Sequence, residues 1–533
     1  MPSVVTRLPV VKKRAFRTKP SQSALTAEEA FQRRTSNQRL PIFQLCPDLL
    51  EYVFLLAVEL EADSYNLHRT VIAWSHTCHY WRLVTYSVKS LWALLIDFDE
   101  RSYQWNEEML QRSHPLPIKL SFRDQSSHRF QTLALQLSHL DRIRRYAIAC
   151  QDTDWDTVVQ LLEHPAPSLR NFGIVWYPSY GATPPSSPIL PPSIFASTAP
   201  NLRHLTMRGC MIDFRSPLLT SLVHLKVAHL SQAFAPTAME WLDRIRQMPS
   251  LTELILENAV SPPYLPHSPP NVMLDPDARN HLPLLSKLVL HAPIRDVSIF
   301  LQQLPIPTSH NWTITAVDCA PGADLDTIME TFSSNFRTAG SGHECPLLIA
   351  ANDYDIYLRN GLLNEDRPAG AYLSFSFHAA SRHFWDSLFP SIATGLEGAI
   401  PYVTALELVL PGVHPSLLPL LQRAERLNTL TRVSPQMTKY LLPQLQRSMS
   451  VGLQTYGVLL PKLERIIFAD DRSMWGDSYC NLKAYLRWRQ TVGFPIRNIR
   501  FLRCNILETV LKEMRSFGVE IEGEMDGFRW QNL

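Results

Sequence analysis

Residues 200–212, Pro-Asn-Leu-Arg-His-Leu-Thr-Met-Arg-Gly-Cys-Met-Ile, contain the pattern that decides the fold of most of this chain. Leu202, Leu205 and Met207 follow Pro200 in the spacing Pro-x-Leu-x-x-φ-x-φ, where φ is an apolar residue. Proline fixes a turn, and alternating apolar residues suit a strand with one face in a core. The stretch therefore predicts a turn followed by a short strand.

The same spacing recurs along the chain from about residue 160 onward. Further copies begin at Pro167, Pro249, Pro283 and Pro461, and one without the proline runs from Leu222 to Val227. Two copies also match the longer leucine-rich template L-x-x-L-x-L-x-x-(N/C)-x-L. These are Leu202, Leu205, Met207, Cys210, Ile212 and Ile496, Ile499, Phe501, Cys504, Ile506. The other copies lack the cysteine, so the array is degenerate.

Helical segments alternate with these strands. Helices are expected at 238–248, 416–427 and 482–488, and further strands at 118–122, 371–377 and 406–410. The proline-rich stretches 182–192 and 261–270 are expected to be loops. Alternation of strand and helix with a period of about 20 to 35 residues is typical of a stacked array. The predicted fold class is α/β, with a leucine-rich-repeat-like solenoid of parallel strands and outer helices over residues 166–533.

Residues 40–100 have a helical pattern instead. Pro47 stands where a first helical residue would be and Asp48 follows in the first turn, which favours a helix start. The helix is expected to place Leu49, Leu50, Val53, Phe54 and Ala57 on one face. A second helix is expected to carry Val71, Trp74, Cys78 and Trp81, and a third apolar patch covers 91–95. These elements predict a small all-helical module.

The composition is that of a globular protein with neither a nucleic-acid nor a membrane signature. Of 533 residues, 45% are hydrophobic and 19% charged, and the formal net charge is +2. No apolar run is long enough for a membrane span, and residues 1–20 do not resemble a secretory signal. The 8 cysteines are scattered without a C-x-x-C pair, which favours a reducing compartment. We expect a cytoplasmic or nuclear location.

Residues 1–39 are predicted to be a basic, disordered tail. Its cluster of lysines and arginines at 12–19 is either a solvated tail or a nuclear-import signal. A short helix is possible at 24–34 within this segment.

No pattern of residues predicts catalysis, a metal or a cofactor. His76, Cys78 and His79 lack a second ligand pair at a supporting spacing, so a metal site is not expected. Gly340-Ser341-Gly342 is too short for a phosphate loop, and no hydrolase, metalloprotease or kinase signature occurs. Cys78, Cys210 and Cys504 are expected to be protected apolar residues and not nucleophiles. We therefore do not expect an enzyme.

Three blocks in residues 45–95 resemble the F-box-like domain that is abundant in large fungal protein families. Residues 45–54 (LCPDLLEYVF) are similar to that family's opening LPPELLxxIF, residues 75–82 (SHTCHYWR) to SHVCRRWR, and residues 87–92 (SVKSLW) to S-x-P-x-LW. Cys46, Lys89 and the pair His79-Tyr80 depart from the pattern. Residues 109–120 also resemble the segment that follows the F-box in these proteins.

The resemblance implies a substrate receptor of a cullin-type (SCF) ubiquitin ligase. Its implied partners are a Skp-family adaptor, the cullin ligase behind that adaptor, and an unknown protein substrate. The implied adaptor-binding residues are Leu45, Pro47, Leu49, Leu50, Val53, Phe54, Trp81 and Trp92. The implied organisation is a tail (1–39), an F-box-like domain (40–100), connecting helices and first strand units (101–165), and a recognition domain (166–533). The alternative is a repeat scaffold that binds a protein partner outside any ligase.

Overall fold

The computed structural model describes the chain from residue 26 to residue 524, with gaps. The gaps are 61–66, 99–100, 122–128, 179–186, 262–284, 305–310, 340–344, 353, 361–371, 379–383, 411, 434, 448–457, 470–475, 503, 505 and 507. The chain divides into two compact units, Met1–Ile118 and Lys119–Leu533. The boundary therefore lies within the segment that was expected to connect the two domains.

The first unit is helical in its described part. Its helices are α1 (Ala27–Asn37), α2 (Pro47–Leu60), α3 (Leu67–Thr77), α4 (His79–Ser87), α5 (Lys89–Leu94) and α6 (Tyr103–Arg112). The start of α2 at Pro47 is as predicted from its proline and acidic first turn. Helix α1 lies inside the segment expected to be a disordered tail. A capping box between Thr26 and Glu29 supports its first turn. The basic cluster at 12–19 lies outside the described residues.

The single helix expected through Val71, Trp74, Cys78 and Trp81 is wrong. The helix is interrupted at Cys78, whose backbone is extended (φ −159°, ψ 172°), so α3 and α4 are separate helices. Its sulfur accepts a hydrogen bond from the Trp81 backbone N–H at 3.4 Å, so Cys78 caps α4. The spacing of three and four residues continues across the break, because both helices direct their apolar residues to the same core.

The second unit is built on one large, mostly parallel sheet with helices, which confirms the α/β class. Within the described residues, the sheet has 16 strands in the order β1-β2-β3-β5-β7-β8-β9-β10-β13-β12-β11-β14-β15-β16-β17-β18. The strands are β1 (Ile118–Ser121), β2 (Ile143–Gln151), β3 (Asn171–Tyr177), β4 (Ile189–Leu190), β5 (His204–Arg208), β6 (Met211–Ile212), β7 (His224–Ala228), β8 (Glu253–Glu257), β9 (Lys287–Pro293), β10 (Asn311–Val317), β11 (Pro346–Ala351), β12 (Asp355–Asn360), β13 (Tyr372–His378), β14 (Ala405–Val409), β15 (Thr429–Thr431), β16 (Arg465–Ala469), β17 (Asn498–Leu502) and β18 (Glu520–Glu524).

Helices of the second unit cover one face of this sheet. They are α7 (Arg129–Leu137), α8 (Trp155–Leu161), α9 (Ala238–Ile245), α10 (Ile294–Gln303), α11 (Ala323–Ala339), α12 (Phe384–Leu396), α13 (Leu417–Gln422), α14 (Pro435–Arg447), α15 (Gly476–Thr491) and α16 (Glu508–Arg515). Phe332 of α11, for example, packs edge-on against Phe375 of β13, with ring centroids 5.6 Å apart. The predicted helices at 238–248, 416–427 and 482–488 correspond to α9, α13 and α15.

Equivalent positions of the repeat pair across neighbouring strands. Leu205 of β5 is in register with Leu225 of β7, and Leu225 is in register with Leu254 of β8. These three side chains are buried. The next φ position behaves in the same way, with Met207, Val227 and Leu256 in register and buried. The spacing found in the sequence thus stacks apolar residues in rows across the helix-covered face.

The expectation of uniformly parallel strands is wrong in the middle of the sheet. Strand β12 runs antiparallel to both of its neighbours, β11 and β13. Strand β13 pairs in parallel with β10, and β11 pairs in parallel with β14. Strands β11 and β12 thus pair as a hairpin that reverses the strand order before the parallel arrangement resumes.

The proline-rich stretch 182–192 is not wholly a loop as expected. Ile189–Leu190 forms the short strand β4, which pairs in parallel with β6 in a separate two-stranded sheet. Residues 179–186 and 262–284 lie outside the described part, so the loop expected at 261–270 falls almost entirely outside it.

Several strands end at a residue with left-handed backbone. Gly209, His229 and Asn258 directly follow β5, β7 and β8 with φ of 74°, 56° and 51°. The N–H of Gly209 donates to the carbonyl of Ala228 at 2.8 Å, and that of His229 donates to Glu257 at 2.7 Å. Each turn therefore adds one backbone hydrogen bond between neighbouring strands and changes the direction of the chain after the strand.

Gly209→Ala is expected to destabilise the second unit by about 2 kcal/mol or more, because two costs combine at this site. The alanine would adopt a left-handed φ, and its Cβ would stand 2.6 Å from the carbonyl oxygen of Trp176. Denaturant melting measures the loss. Asn258→Gly, at the equivalent turn, is the control and should be neutral or slightly stabilising. Equal melting of the wild type and Gly209→Ala would contradict this close approach.

A buried carboxylate lies in the first turn of α10. Asp296 is 1% exposed, and its Oδ2 has no hydrogen-bond partner among the described residues. Burial raises its pKa to about 6, while Arg295 opposes and Asp324 adds to the shift. Since the pKa in the folded state lies above the unfolded value, the protonated form favours folding. That stability is present below about pH 4 and is lost as the pH rises through about 6.

Asp296→Asn is therefore expected to increase the free energy of unfolding over that of the wild type by more at pH 8 than at pH 4. The asparagine cannot ionise, so the variant avoids the cost of a buried charge, about 2 to 3 kcal/mol for a shift of this size. Denaturant unfolding of the wild type and the variant at both pH values measures this gain. Other titrating groups are the same in the two proteins, so their contributions cancel. A gain that is the same at both pH values would assign it to packing and not to the carboxylate.

Candidate protein-interaction surfaces

Helix α2 is apolar on almost every side. Its sequence, PDLLEYVFLLAVEL, contains three charged residues, which are Asp48, Glu51 and Glu59. Such a helix is normally surrounded by protein, because a helix on a surface usually keeps one polar face. The helix therefore has more apolar surface than the small unit around it can cover.

The inner face of α2 forms the core of the first unit. Leu50 and Phe54 are buried, and the Phe54 ring stacks on Trp74 with centroids 4.4 Å apart. Trp81 meets the same phenylalanine edge-on at 5.3 Å. Trp92 is buried in the same cluster. These contacts fix the rotation of α2 about its own axis and so determine which side chains point outward.

The outer face of α2 is an exposed apolar stripe. Its members follow helical spacing and are each between 41% and 77% exposed: Leu49, Tyr52, Val53, Leu56 and Leu60. A contiguous exposed apolar surface of this kind is typical of a protein-interaction site. We call these five side chains the α2 outer face.

The implied adaptor-binding residues divide into two sets. Leu49 and Val53 lie on the α2 outer face, and Pro47 is exposed at the start of the helix. Leu45 is half-buried, and its carbonyl accepts a hydrogen bond from the Tyr80 hydroxyl at 2.7 Å. Trp81 is half-buried against the core.

Leu50, Phe54 and Trp92 are fully or almost fully buried and do not reach the surface. They can support a contact only by holding α2 in place. The sequence analysis missed Tyr52, Leu56 and Leu60, although counting three, four and seven residues from Leu49 finds the first two.

A second surface is the sheet face opposite the helices, which we call the open face. Here, besides apolar residues such as Ile255 and Val289, the odd positions of several strands carry polar side chains. Several of these pair across strands: Lys226 with Glu257 at 2.9 Å, and His224 with Glu253 at 3.0 Å. Lys287 also lies 3.6 Å from Glu253. Burial opposes ionisation of Glu253, but the hydrogen bonds from His224 and Lys287 lower its pKa overall. Most charge on this part of the sheet is thus internally compensated.

The metal-ligating side chains and the cysteines of the described residues bear on which chemistry this part of the chain could support. No group of three or more His, Cys, Asp or Glu side chains among them is placed to hold a metal ion. Cys210 is buried and burial raises its thiol pKa, whereas Cys78 and Cys504 are only half-buried. The fully exposed cysteines in this part of the chain are Cys46 and Cys480. None of the helices described is long and apolar enough to cross a membrane.

Comparison with known proteins adds no relative on which a function could rest. No protein-family model matches the chain, and no curated protein sequence matches it significantly.

Proposed function

We propose that this chain is a non-catalytic substrate receptor of a cullin-type (SCF) ubiquitin ligase. Its first unit is an F-box-like module that binds a Skp-family adaptor through the α2 outer face. Its second unit is a leucine-rich-repeat-like recognition domain that binds a protein substrate. A complex of this kind works in the cytoplasm or nucleus.

The observation that carries the proposal is the division of α2 into two apolar faces. One face is used by the unit's own core, and the other exposes Leu49, Tyr52, Val53, Leu56 and Leu60. The helix lies in the block that resembles the opening of the F-box-like domain. Leaving these side chains in water costs about 25 cal/mol for each Å² of apolar surface, so a partner that covers them gains this energy.

The in-register rows of the second unit support the recognition role. Repeats that contact mainly their neighbours form one continuous core and leave the opposite strand face available for binding. The open face from β5 to β10 and on to β13 follows this pattern, with polar side chains interspersed among apolar ones such as Ile255 and Val289. The hairpin at β11–β12 is a local departure from a regular solenoid.

A titration of the full chain with a purified Skp-type adaptor tests the proposal. Isothermal calorimetry is expected to give a dissociation constant at or below the micromolar range, with a negative heat-capacity change from burial of apolar surface. Absence of binding would remove the ligase role and leave the alternative of a repeat scaffold for protein–protein interaction.

A further inference from the structure

Arg359 of β12 is a positive charge on the open face that forms no ion pair with any described residue. Its guanidinium carbon lies 4.5 Å from the centroid of the Tyr372 ring. Within the described residues, no carboxylate lies within ion-pair distance of Arg359, and its buried Nε has no hydrogen-bond partner. The ring partly desolvates the guanidinium, which strengthens its contact with an anion.

Hydroxyl side chains lie on one side of this arginine, on β13 and β10, whereas its partner in register on β11 is the buried Leu348. Arg359 is in register with Ser374 of β13, and Ser374 is in register with Thr313 of β10. One row further along the strands, Ser376 is in register with Thr315 in the same way. All four hydroxyl side chains are half-buried on the open face. A hydroxyl can donate to an anion without adding charge, so the surroundings of Arg359 suit an oxyanion.

The acidic side chains nearest in the sheet are already engaged. Asp355, on the same strand, accepts a hydrogen bond from His378 at 2.5 Å. Although burial opposes its ionisation, this bond contributes to a lowered pKa, so Asp355 stays charged and occupied. Glu407 occupies the same row two strands away, but it is 2% exposed and lies 3.3 Å from Arg432. Among the described residues, these two carboxylates are therefore paired with His378 and Arg432 and not with Arg359.

We propose that this part of the open face binds an acidic segment of a partner protein, with a carboxylate or phosphate of that segment paired to Arg359. The guanidinium of Arg359 can donate two parallel hydrogen bonds to a carboxylate or phosphate. Tyr357, which is 37% exposed on the same strand, offers an aromatic contact. Arginine and tyrosine are also the residue types that dominate binding energy at interfaces. This inference rests on the proposed function, since the segment would belong to the substrate.

Fluorescence anisotropy on the full chain tests the inference. The probe is a labelled ten-residue peptide of alternating glutamate and serine, with a glutamine-serine peptide as the neutral counterpart. The acidic probe is expected to bind, the neutral one not, and binding should weaken as salt rises. Arg359→Ala is expected to weaken binding roughly tenfold to 100-fold, as loss of a charge-assisted pair does. Arg359→Lys should recover only part of it, because lysine lacks the fork.

Arg208→Ala is the matched control. Arg208 is an exposed arginine at the end of β5 on the same face, six strands or roughly 29 Å away at about 4.8 Å per strand. Its loss should leave the affinity unchanged within about twofold, as expected for a single distant surface charge. Equal losses for Arg208→Ala and Arg359→Ala, or no binding of the acidic probe by the wild type, would overturn the inference. A version of the probe with phosphoserine is titrated in parallel, and the tighter of the two probes shows whether the site prefers a carboxylate or a phosphate.

Adaptor binding measured on the same preparations separates this inference from the proposed function. If the chain binds the adaptor but not the acidic probe, the site at Arg359 is wrong and the ligase role stands. If the probe binds through Arg359 and the adaptor does not bind, the site is right and the ligase role is wrong. Tyr372→Phe keeps the stacking ring and should retain probe binding, whereas Tyr372→Ala should lower it as Arg359→Ala does.

Discussion

Replacing Leu49 and Val53 together by alanine is expected to weaken adaptor binding roughly 1000-fold without destabilising the protein. Both side chains lie on the α2 outer face and do not take part in the core of the first unit. Apolar anchors at the centre of an interface typically cost about 2 kcal/mol each on truncation. Two such losses correspond to roughly three tenfold steps in affinity. Calorimetric titration with purified adaptor measures the affinity, and circular dichroism measures the melting.

Leu50→Ala is the matched control, because it changes a leucine of the same helix one residue away. Leu50 is fully buried in the core cluster, so its truncation should cost about 2 to 5 kcal/mol of stability. Affinity and stability are thus expected to respond to different faces of one helix. If wild-type affinity persists in the Leu49/Val53 variant, the adaptor contact lies elsewhere on the chain.

The two faces of α2 also show where sequence reasoning stops. The proline, the acidic first turn and the apolar content predict the helix and its start. They do not show which side turns inward, because the helix lacks a polar face to set against an apolar one. That choice depends on Trp74 and Trp81, which arrive from α3 and α4 and stack on Phe54. A contact between distant parts of the chain decides it.

The sheet shows the same limit at another scale. The repeat spacing predicts strands with buried alternate residues, and those strands occur in register. Strand direction, however, leaves no trace in an alternating pattern, since the period of two residues is the same in both directions. Strand β12 alternates like its neighbour β13, with Ile356 and Leu358 buried, yet it runs the opposite way. The neighbours of Arg359, Ser374 and Tyr372, depend on how this reversed strand pairs with β13, which the alternating pattern does not encode.

Trp312→Ala is expected to destabilise the second unit by about 3 to 5 kcal/mol, as removal of a fully buried tryptophan does. Trp312 lies on β10, next to the point where the strand order reverses, and it pairs in register with Leu288 on one side and Leu373 on the other. It is fully buried, and its indole Nε1–H donates to the carbonyl of Leu285 at 2.9 Å. Truncation would leave a cavity in the row and an unpaired carbonyl at the preceding turn. The shift of the denaturant midpoint measures the cost.

Two further variants separate these contributions. Trp312→Phe keeps an aromatic ring in the row but loses the indole donor, so it should cost less, about 1 to 3 kcal/mol. Tyr440→Ala removes an exposed ring from α14 and should change stability by no more than about 0.5 kcal/mol. Because the first unit has its own buried cluster, adaptor affinity should be unchanged in all three variants at temperatures where they remain folded. A Trp312→Ala protein that melts like Tyr440→Ala would show that β10 is not central to the core. Loss of adaptor binding in the folded Trp312→Ala variant would show that the two units do not act independently.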